Sequence, residues 1–369
     1  MPTRLHITVD AEVCVYDPAL DTPDTQIWGK TSDGGSFGIG FIMDELAARG
    51  WTCTFFLNVY DTDVWCEEPI ATIARTIKAR GFDVQLHTHI PLSSMWEGQS
   101  PAATVTGTVP AASLKGLSAY SLSDQRRLLR EGADRLEHWT GIRPLWHRAG
   151  NLCANLDTVR ACAAEGFAGD SSYLYGWPQC ASLGAGDRLR NELRLLEGIR
   201  ELPITTFRTL PVLHNYRHLD LDACTDRELI AITRQAARQG VPHIVLLLHS
   251  FSFVRRTDQG YVANEENIVK FRTLLRAAEG VKNLEVIALS ALNTLHPNPL
   301  PLRPGHGKHE GERKDAMAGE GVFDLYSGLF LTYHRAWAHW GRSWKHKVMA
   351  LAPLIVLLAV VAIWMWLNK

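Results

Sequence analysis

Along the first 290 or so residues the spacing of apolar positions alternates between two periods. Arg4 to Asp10 alternates apolar and polar and is rich in β-branched residues, the pattern of a first strand, and it runs into the acids Asp10 and Glu12. From Ser36 to Gly50 the apolar spacing is near 3.6, and Gly50 stands where a helix ends in glycine. Residues 52–58 (TCTFFLN) read as a second strand, Pro69 to Arg80 as a second helix, and Phe82 to Leu86 as a buried third strand. This β-α-β-α-β order predicts parallel strands covered by helices. Residues 93–122, rich in Ser, Gly, Pro and Ala, read as an insertion over one rim. The rhythm then resumes with a helix capped by Ser123, a strand from Arg143 to His147, a helix from Leu156 to Glu165 and a strand ending at Asp170. A short strand within ELPITTF precedes a helix from Thr225 to Gln239. The apolar strand HIVLLLHSFSF carries His249, and a helix (Asn264 to Glu279) and a strand (Leu284 to Ala288) close the pattern. About seven β-α units predict one α/β barrel over residues 1–295, with an open doubly wound sheet as the alternative.

Beyond residue 295 the pattern changes. Residues 296–322 turn to Pro, Gly and charge, which predicts a flexible linker in which His296, His306 and His309 are solvated. Residues 323–346 are aromatic and mildly basic, a juxtamembrane segment that would lie along a membrane surface. Residues 347–367 are expected to form a transmembrane helix, and from Val348 onward no charge interrupts them. Twenty helical residues span roughly 30 Å, the thickness of a bilayer core. Trp364 and Trp366 suit an interfacial belt, and Arg342, Lys345 and Lys347 on the near side place the main domain in the cytoplasm. The start, MPTRLHITVD, has no charged-then-apolar leader.

A formal charge of −1 leaves no basic excess for phosphates, which argues against nucleic acid as a partner. The seven cysteines are scattered without a CxxC pair, as reduced thiols would be. Cys14, near the acidic pair, reads as a packed thiol.

The candidate chemistry lies at the strand ends. In a barrel the C-termini of the strands gather at one face. Asp10, Glu12, His87, His89, Arg148, Asp170 and His249 all fall there. His87 and His89 are two apart, so in an extended chain both imidazoles point to one side. Two histidines and one carboxylate make an open three-ligand site for a divalent metal, zinc above all. A second carboxylate can take a proton from water, a distant histidine can protonate a leaving group, and an arginine can steady the base. That inventory matches hydrolysis of an amide or ester.

The ordered set ITVDAEV, TCTFFLN, VQLHTH, HRAGN, GDSS and LLLHSFSF resembles the polysaccharide deacetylase (NodB-homology) family, carbohydrate esterase family four, over residues 4 to about 290. The resemblance implies a distorted (β/α)7 barrel and metal-dependent removal of acetyl groups from N- or O-acetylated sugars. It implies Asp10 as general base, His87 as a metal ligand, Arg148 as the residue steadying the base, and His249 as general acid. Leu246 and Leu247 would form the wall around the acetyl methyl. Two positions depart from the family pattern. Ala11 separates Asp10 from the second acid, Glu12, where adjacent aspartates are usual. Pro91 stands four residues after His87, where the second metal histidine is usual, and His89 is expected to replace it. Which acid is base and which is ligand stays open at this point. Asp170, Leu247 and Trp96 are expected to contact substrate, with Tyr173, Tyr175 and Trp177 also on rim loops. The expected substrate is an N-acetylated glycan, polymeric or lipid-linked. Another amide such as a formamido sugar, or a non-catalytic saccharide-binding barrel, are the alternatives.

Overall fold

Strand β1 (Thr3–Ala11) lies between two other parallel strands, and everything that positions the site is built outward from it. The structure is a computed structural model that describes residues 1–14, 17, 19–90, 116–184, 191–209, 216–295, 325 and 327. After β1 come α1 (Ile39–Ala47), β2 (Thr54–Asn58), the short α2 (Thr62–Trp65), α3 (Glu67–Ala79) and β3 (Asp83–Thr88). The chain continues through α4 (Leu122–Thr140), β4 (Trp146–Ala149), α5 (Leu156–Ala164) and β5 (Gly169–Asp170). Then follow β6 (Arg194–Leu196), β7 (Ile199–Glu201), β8 (Thr206–Arg208), β9 (Tyr216–His218), α6 (Asp226–Gln239) and β10 (His243–His249). The hairpin β11 (Val254–Thr257) and β12 (Gly260–Ala263), α7 (Glu265–Glu279), β13 (Leu284–Val286) and α8 (Ala291–Leu295) complete it.

Seven strands run parallel in the order β10-β1-β2-β3-β4-β5-β7, with β6 antiparallel on β7 and β13 beside the start of β1. The two ends of this curled sheet, β10 and β6, do not pair with each other among the described residues. Instead Leu219–Leu221 runs along the outer side of β10. With β13, which also pairs parallel to β1, the expected parallel strands are present in an α/β sheet that curls without closing among the described residues. Leu5, Ile7, Val9, Phe55 and Leu57 are fully buried, each contributing about 1.5–3 kcal/mol on removal from water.

Several local expectations are corrected. The cap of α4 is Ser121, whose hydroxyl accepts from the Asp124 N–H, not Ser123. The strand expected at residues 143–147 is β4, Trp146–Ala149. ELPITTF is split between the end of β7 and β8. The hairpins β6–β7, β8–β9 and β11–β12 are too short to leave a clear period in the sequence.

Trp96, the linker 296–322 and the apolar run 348–367 lie outside the described residues. No helix among the described residues is long and apolar enough to cross a membrane. Leu325 is buried, and the Arg208 N–H donates to its carbonyl at 2.8 Å while the Ser327 N–H donates to the Arg208 carbonyl at 3.0 Å. The chain thus returns to the domain beside β8.

Register fixes which side chains share a face. In parallel strands, residues paired in register project to the same side of the sheet. Asp10 pairs with Phe56 and with His249, Asn58 with His87, and His87 with Arg148. These residues line the concave side at the C-terminal ends of the strands. His147 and Asp170, also paired with each other, fall on the opposite side, toward α5.

Candidate active site

Glu12 follows the last residue of β1, and one of its oxygens, Oε2, lies 3.0 Å from His87 Nε2 and 2.8 Å from His89 Nε2. The two imidazoles meet edge to face with centroids 5.1 Å apart. His87 Nδ1 is 2.8 Å from the Arg148 carbonyl, which can only accept, so Nδ1 carries the hydrogen. In the neutral ring that leaves the Nε2 lone pair facing a carboxylate oxygen. Two acceptors facing each other at 3.0 Å call for a proton or a metal ion between them. Burial opposes ionisation of Glu12, but His89 and His87 outweigh it and hold its pKa well below the ordinary carboxylate range. Burial likewise opposes the charged form of His87, yet Asp10 and Glu12 together push its pKa up. Two imidazole nitrogens and a carboxylate oxygen within 4.8 Å of one another form a group that could hold a metal ion.

Asp10 is held apart from this trio. Arg148 Nη1 donates to Asp10 Oδ1 at 2.7 Å and to Thr8 Oγ1 at 3.0 Å, while its Nε donates to the Ser171 carbonyl at 3.0 Å. The guanidinium is fully buried and lies 4.3 Å from the Phe56 ring centroid. So rigid an arginine fixes one carboxylate oxygen of Asp10 in place.

His249 stands on the far side. Its Nε2 is 3.9 Å from Glu12 Oε1 and its Nδ1 is 3.6 Å from Asp222 Oδ2. Asp222 is anchored by the Ser252 hydroxyl and by the Asn267 amide, each donating at 2.6 Å. Burial disfavours the imidazolium, but Asp222, Glu12 and Asp10 more than offset it, and the pKa of His249 is pushed up to about 10. Leu247, paired with Thr8, shares the concave face two residues below His249.

The structure therefore brings Asp10, Glu12, His87, His89, Arg148 and His249 into one cluster, with His89 beside Glu12 and His87 as the H-x-H spacing suggests. Asp170 is a correction. Its side chain projects to the opposite face, where Oδ1 lies 2.6 Å from His147 Nδ1 and accepts from the Ser172 hydroxyl at 3.0 Å. It is wholly buried and belongs to the packing of β4, β5 and α5 rather than to a substrate surface. Of the rim aromatics, Tyr173 is buried, Tyr175 packs edge to face on Tyr216, and Trp177 keeps an exposed face. The Trp177 indole N–H donates to the Asn151 carbonyl at 3.1 Å.

Sequence reasoning missed Asp222, Asn58 and Asp61. Asp222 sits in LDLDACTD, a stretch of alternating acids with no sign of which one would meet His249. Asp61 is pushed up to about 8 by burial and by the nearby Glu12 charge, a perturbation that only proximity in space creates.

No family model and no curated protein matches this chain. Solved structures of carbohydrate esterase family 4 are among those it resembles. A candidate polysaccharide deacetylase from Mycobacterium smegmatis is 16% identical, covering 80% of this chain and 90% of that one, with a TM-score of 0.48. The family 4 carbohydrate esterase from Streptomyces lividans is 8% identical over 76% of this chain and 90% of that one, with a TM-score of 0.40. A family 4 acetyl xylan esterase from Clostridium thermocellum is 12% identical over 80% and 93%, with a TM-score of 0.36.

Proposed function

We propose that this chain is a metal-dependent hydrolase that removes acetyl groups from an N-acetylated saccharide. One observation carries the reading. A carboxylate oxygen of Glu12 stands 2.8 and 3.0 Å from two imidazole nitrogens, with the Asp10–Arg148 pair and the His249–Asp222 pair in the same cluster.

Glu12, His87 and His89 would hold the ion. When bound, a divalent ion there supplies a water of lowered pKa and a Lewis acid for the amide carbonyl. Asp10, oriented by Arg148, accepts the proton of the attacking water. His249, kept charged by Asp222, donates a proton to the departing amine. Leu247 offers an apolar wall for the acetyl methyl. Trp177, fixed through its indole N–H, offers a flat face to a sugar ring.

The same proposal includes a membrane tether. The uncharged run 348–367, preceded by Arg342, Lys345 and Lys347, supports a single-pass anchor with the hydrolase in the cytoplasm. A lipid-linked saccharide is the substrate that such a tether favours.

The deciding measurement is acetate release by the purified protein from N-acetylated oligosaccharides and a lipid-linked N-acetylhexosamine, with and without chelator. Chelator-sensitive release is expected, together with about one equivalent of divalent metal per chain. Less than about half an equivalent of any divalent ion, with no release, would overturn the enzyme reading in favour of a saccharide-binding barrel. Preferential turnover of formylated analogues would reassign the acyl group. The exposed Cys66 reports topology. In sealed right-side-out vesicles an impermeant maleimide should label it only after lysis, and labelling before lysis would refute the cytoplasmic placement.

A further inference from the structure

Two of the three ligands in the proposed metal set lie just past their strands. Glu12 follows β1, which ends at Ala11, and His89 follows β3, which ends at Thr88. The ladder that fixes His87 therefore does not extend to them. A buried side-chain relay joins the two instead. The His89 N–H donates to Asn58 Oδ1 at 3.0 Å, Asn58 Nδ2 donates to Asp61 Oδ1 at 2.7 Å, and the Val13 N–H donates to Asp61 Oδ2 at 3.1 Å. The relay runs without a gap from the backbone of one ligand to the residue after the other. Asn58 and Asp61 are both buried, so each bond is made in a low dielectric and an unmade one is costly.

We infer that Asn58 and Asp61 are positioning residues that set the spacing between His89 and Glu12 for the metal, an inference that rests on the metal reading above. Asn58 is the residue that makes an H-x-H pair workable in this chain. In register with His87, it reaches past the strand end and holds the backbone of the second histidine. Asp61 continues that grip to the loop behind Glu12. Neither residue belongs to the candidate ligand set Glu12, His87 and His89.

A purely structural role is the competing account, because Asn58 also caps the short 3-10 turn Val59–Asp61 by accepting from the Tyr60 N–H at 3.4 Å. Loss of a cap lowers stability and leaves metal affinity alone. Exchange of the two side-chain types separates the accounts. In the double variant N58D/D61N, the carboxylate now at position 58 accepts from the His89 N–H and from the amide now at position 61. The carbonyl oxygen of that amide accepts in turn from the Val13 N–H. Every bond of the relay is then satisfied again with the groups reversed. D61N alone sets two amide groups against each other where one carboxylate had accepted twice, whereas in N58D a proton shared between the two acids can restore the contact.

The experiment is Zn2+ and Co2+ titration of the purified full chain, with thermal midpoints of the metal-free proteins measured alongside. N58A and D61N are each expected to weaken metal binding by about 10- to 100-fold, and N58D/D61N to return within a few-fold of wild type. Single variants that bind like wild type, or a double variant as weak as the singles, would overturn the inference while leaving the metal site standing. Should N58A fail to fold, D61N against N58D/D61N makes the same decision. A wild-type chain that binds neither ion removes the inference and the metal reading together.

Discussion

Gly150 and His89 stand so close that a Cβ built on the glycine would lie 2.5 Å from the imidazole Cδ2 and Cγ. The glycine of HRAGN thus makes room for a histidine that lies 61 positions earlier in the chain. Replacement of Gly150 by alanine should displace the His89 ring and weaken Zn2+ binding roughly tenfold or more by calorimetric titration. Gly40, which has nothing within 4 Å of its ideal Cβ, is the control. Gly40→Ala in α1 should leave metal affinity unchanged.

The two acids at the end of β1 should separate by measurement. Glu12→Gln removes the carboxylate charge from between His87 and His89, and the purified variant should lose bound metal. Asp10→Asn should keep its metal within a few-fold and lose about 10²- to 10⁴-fold in turnover, the range for removal of a general base. The reverse pattern, with metal lost on Asp10→Asn and retained on Glu12→Gln, would exchange their roles.

His249 predicts a pH dependence with a definite sign. As general acid it must carry a proton, so the rate should fall on the alkaline side as the imidazolium is lost. Burial pulls its pKa down, and Asp222 with the Glu12 and Asp10 charges lifts it to about 10. A bound divalent ion cancels part of the Glu12 charge, so the alkaline limb of the loaded enzyme should lie below that value. Asp222→Asn should move the limb further down by about one unit or more. An unshifted limb in kcat against pH would remove His249 from that step.

Arg148 and Asp10 form a buried ion pair, and removal of one partner leaves the other charged and unpaired. Arg148→Met should cost about 3–5 kcal/mol in urea unfolding as well as activity. Arg148→Lys should recover part of the stability and little of the activity, because an ammonium cannot bond Asp10 and Ser171 at once.

Asp170 should behave as a packing residue. Asp170→Ala leaves His147 and Ser172 without their shared acceptor in the core, and should cost about 3 kcal/mol or more. The variant, at temperatures where it stays folded, should keep a wild-type KM. A large rise in KM with unchanged stability would return Asp170 to the substrate surface.

Much of this arrangement was legible in the chain because it follows from short-range periodicity. Side chains two apart in an extended chain share a face, which groups Asp10 with Glu12 and His87 with His89 even though Glu12 and His89 stand just past their strands. The helix α6 begins at the Thr225 cap, whose signal lies within four residues, and the cap is present with Glu228 answering it. Arg148 and His249 are legible as strand-end residues of HRAGN and LLLHSFSF, and they stand beside Asp10 and Glu12 respectively. Asp170 failed on a different count. It too ends a strand, but the register of β4 against β5 pairs it with His147 and not with Arg148, one residue away. A one-residue difference in register moves a side chain from the concave face to the helix layer, and nothing local encodes it.

The sequence by itself determined the alternation of strands and helices and which residues of one strand share a side, since both depend on neighbours within one or two turns. Tertiary structure alone decided which strand ends face one another, which acid reaches the imidazoles, and that Asn58, Asp61 and Asp222 stand behind them. Those relations join residues 31 to 48 positions apart in the Asn58–His89 and Val13–Asp61 contacts, and they arise only when parallel strands settle into register.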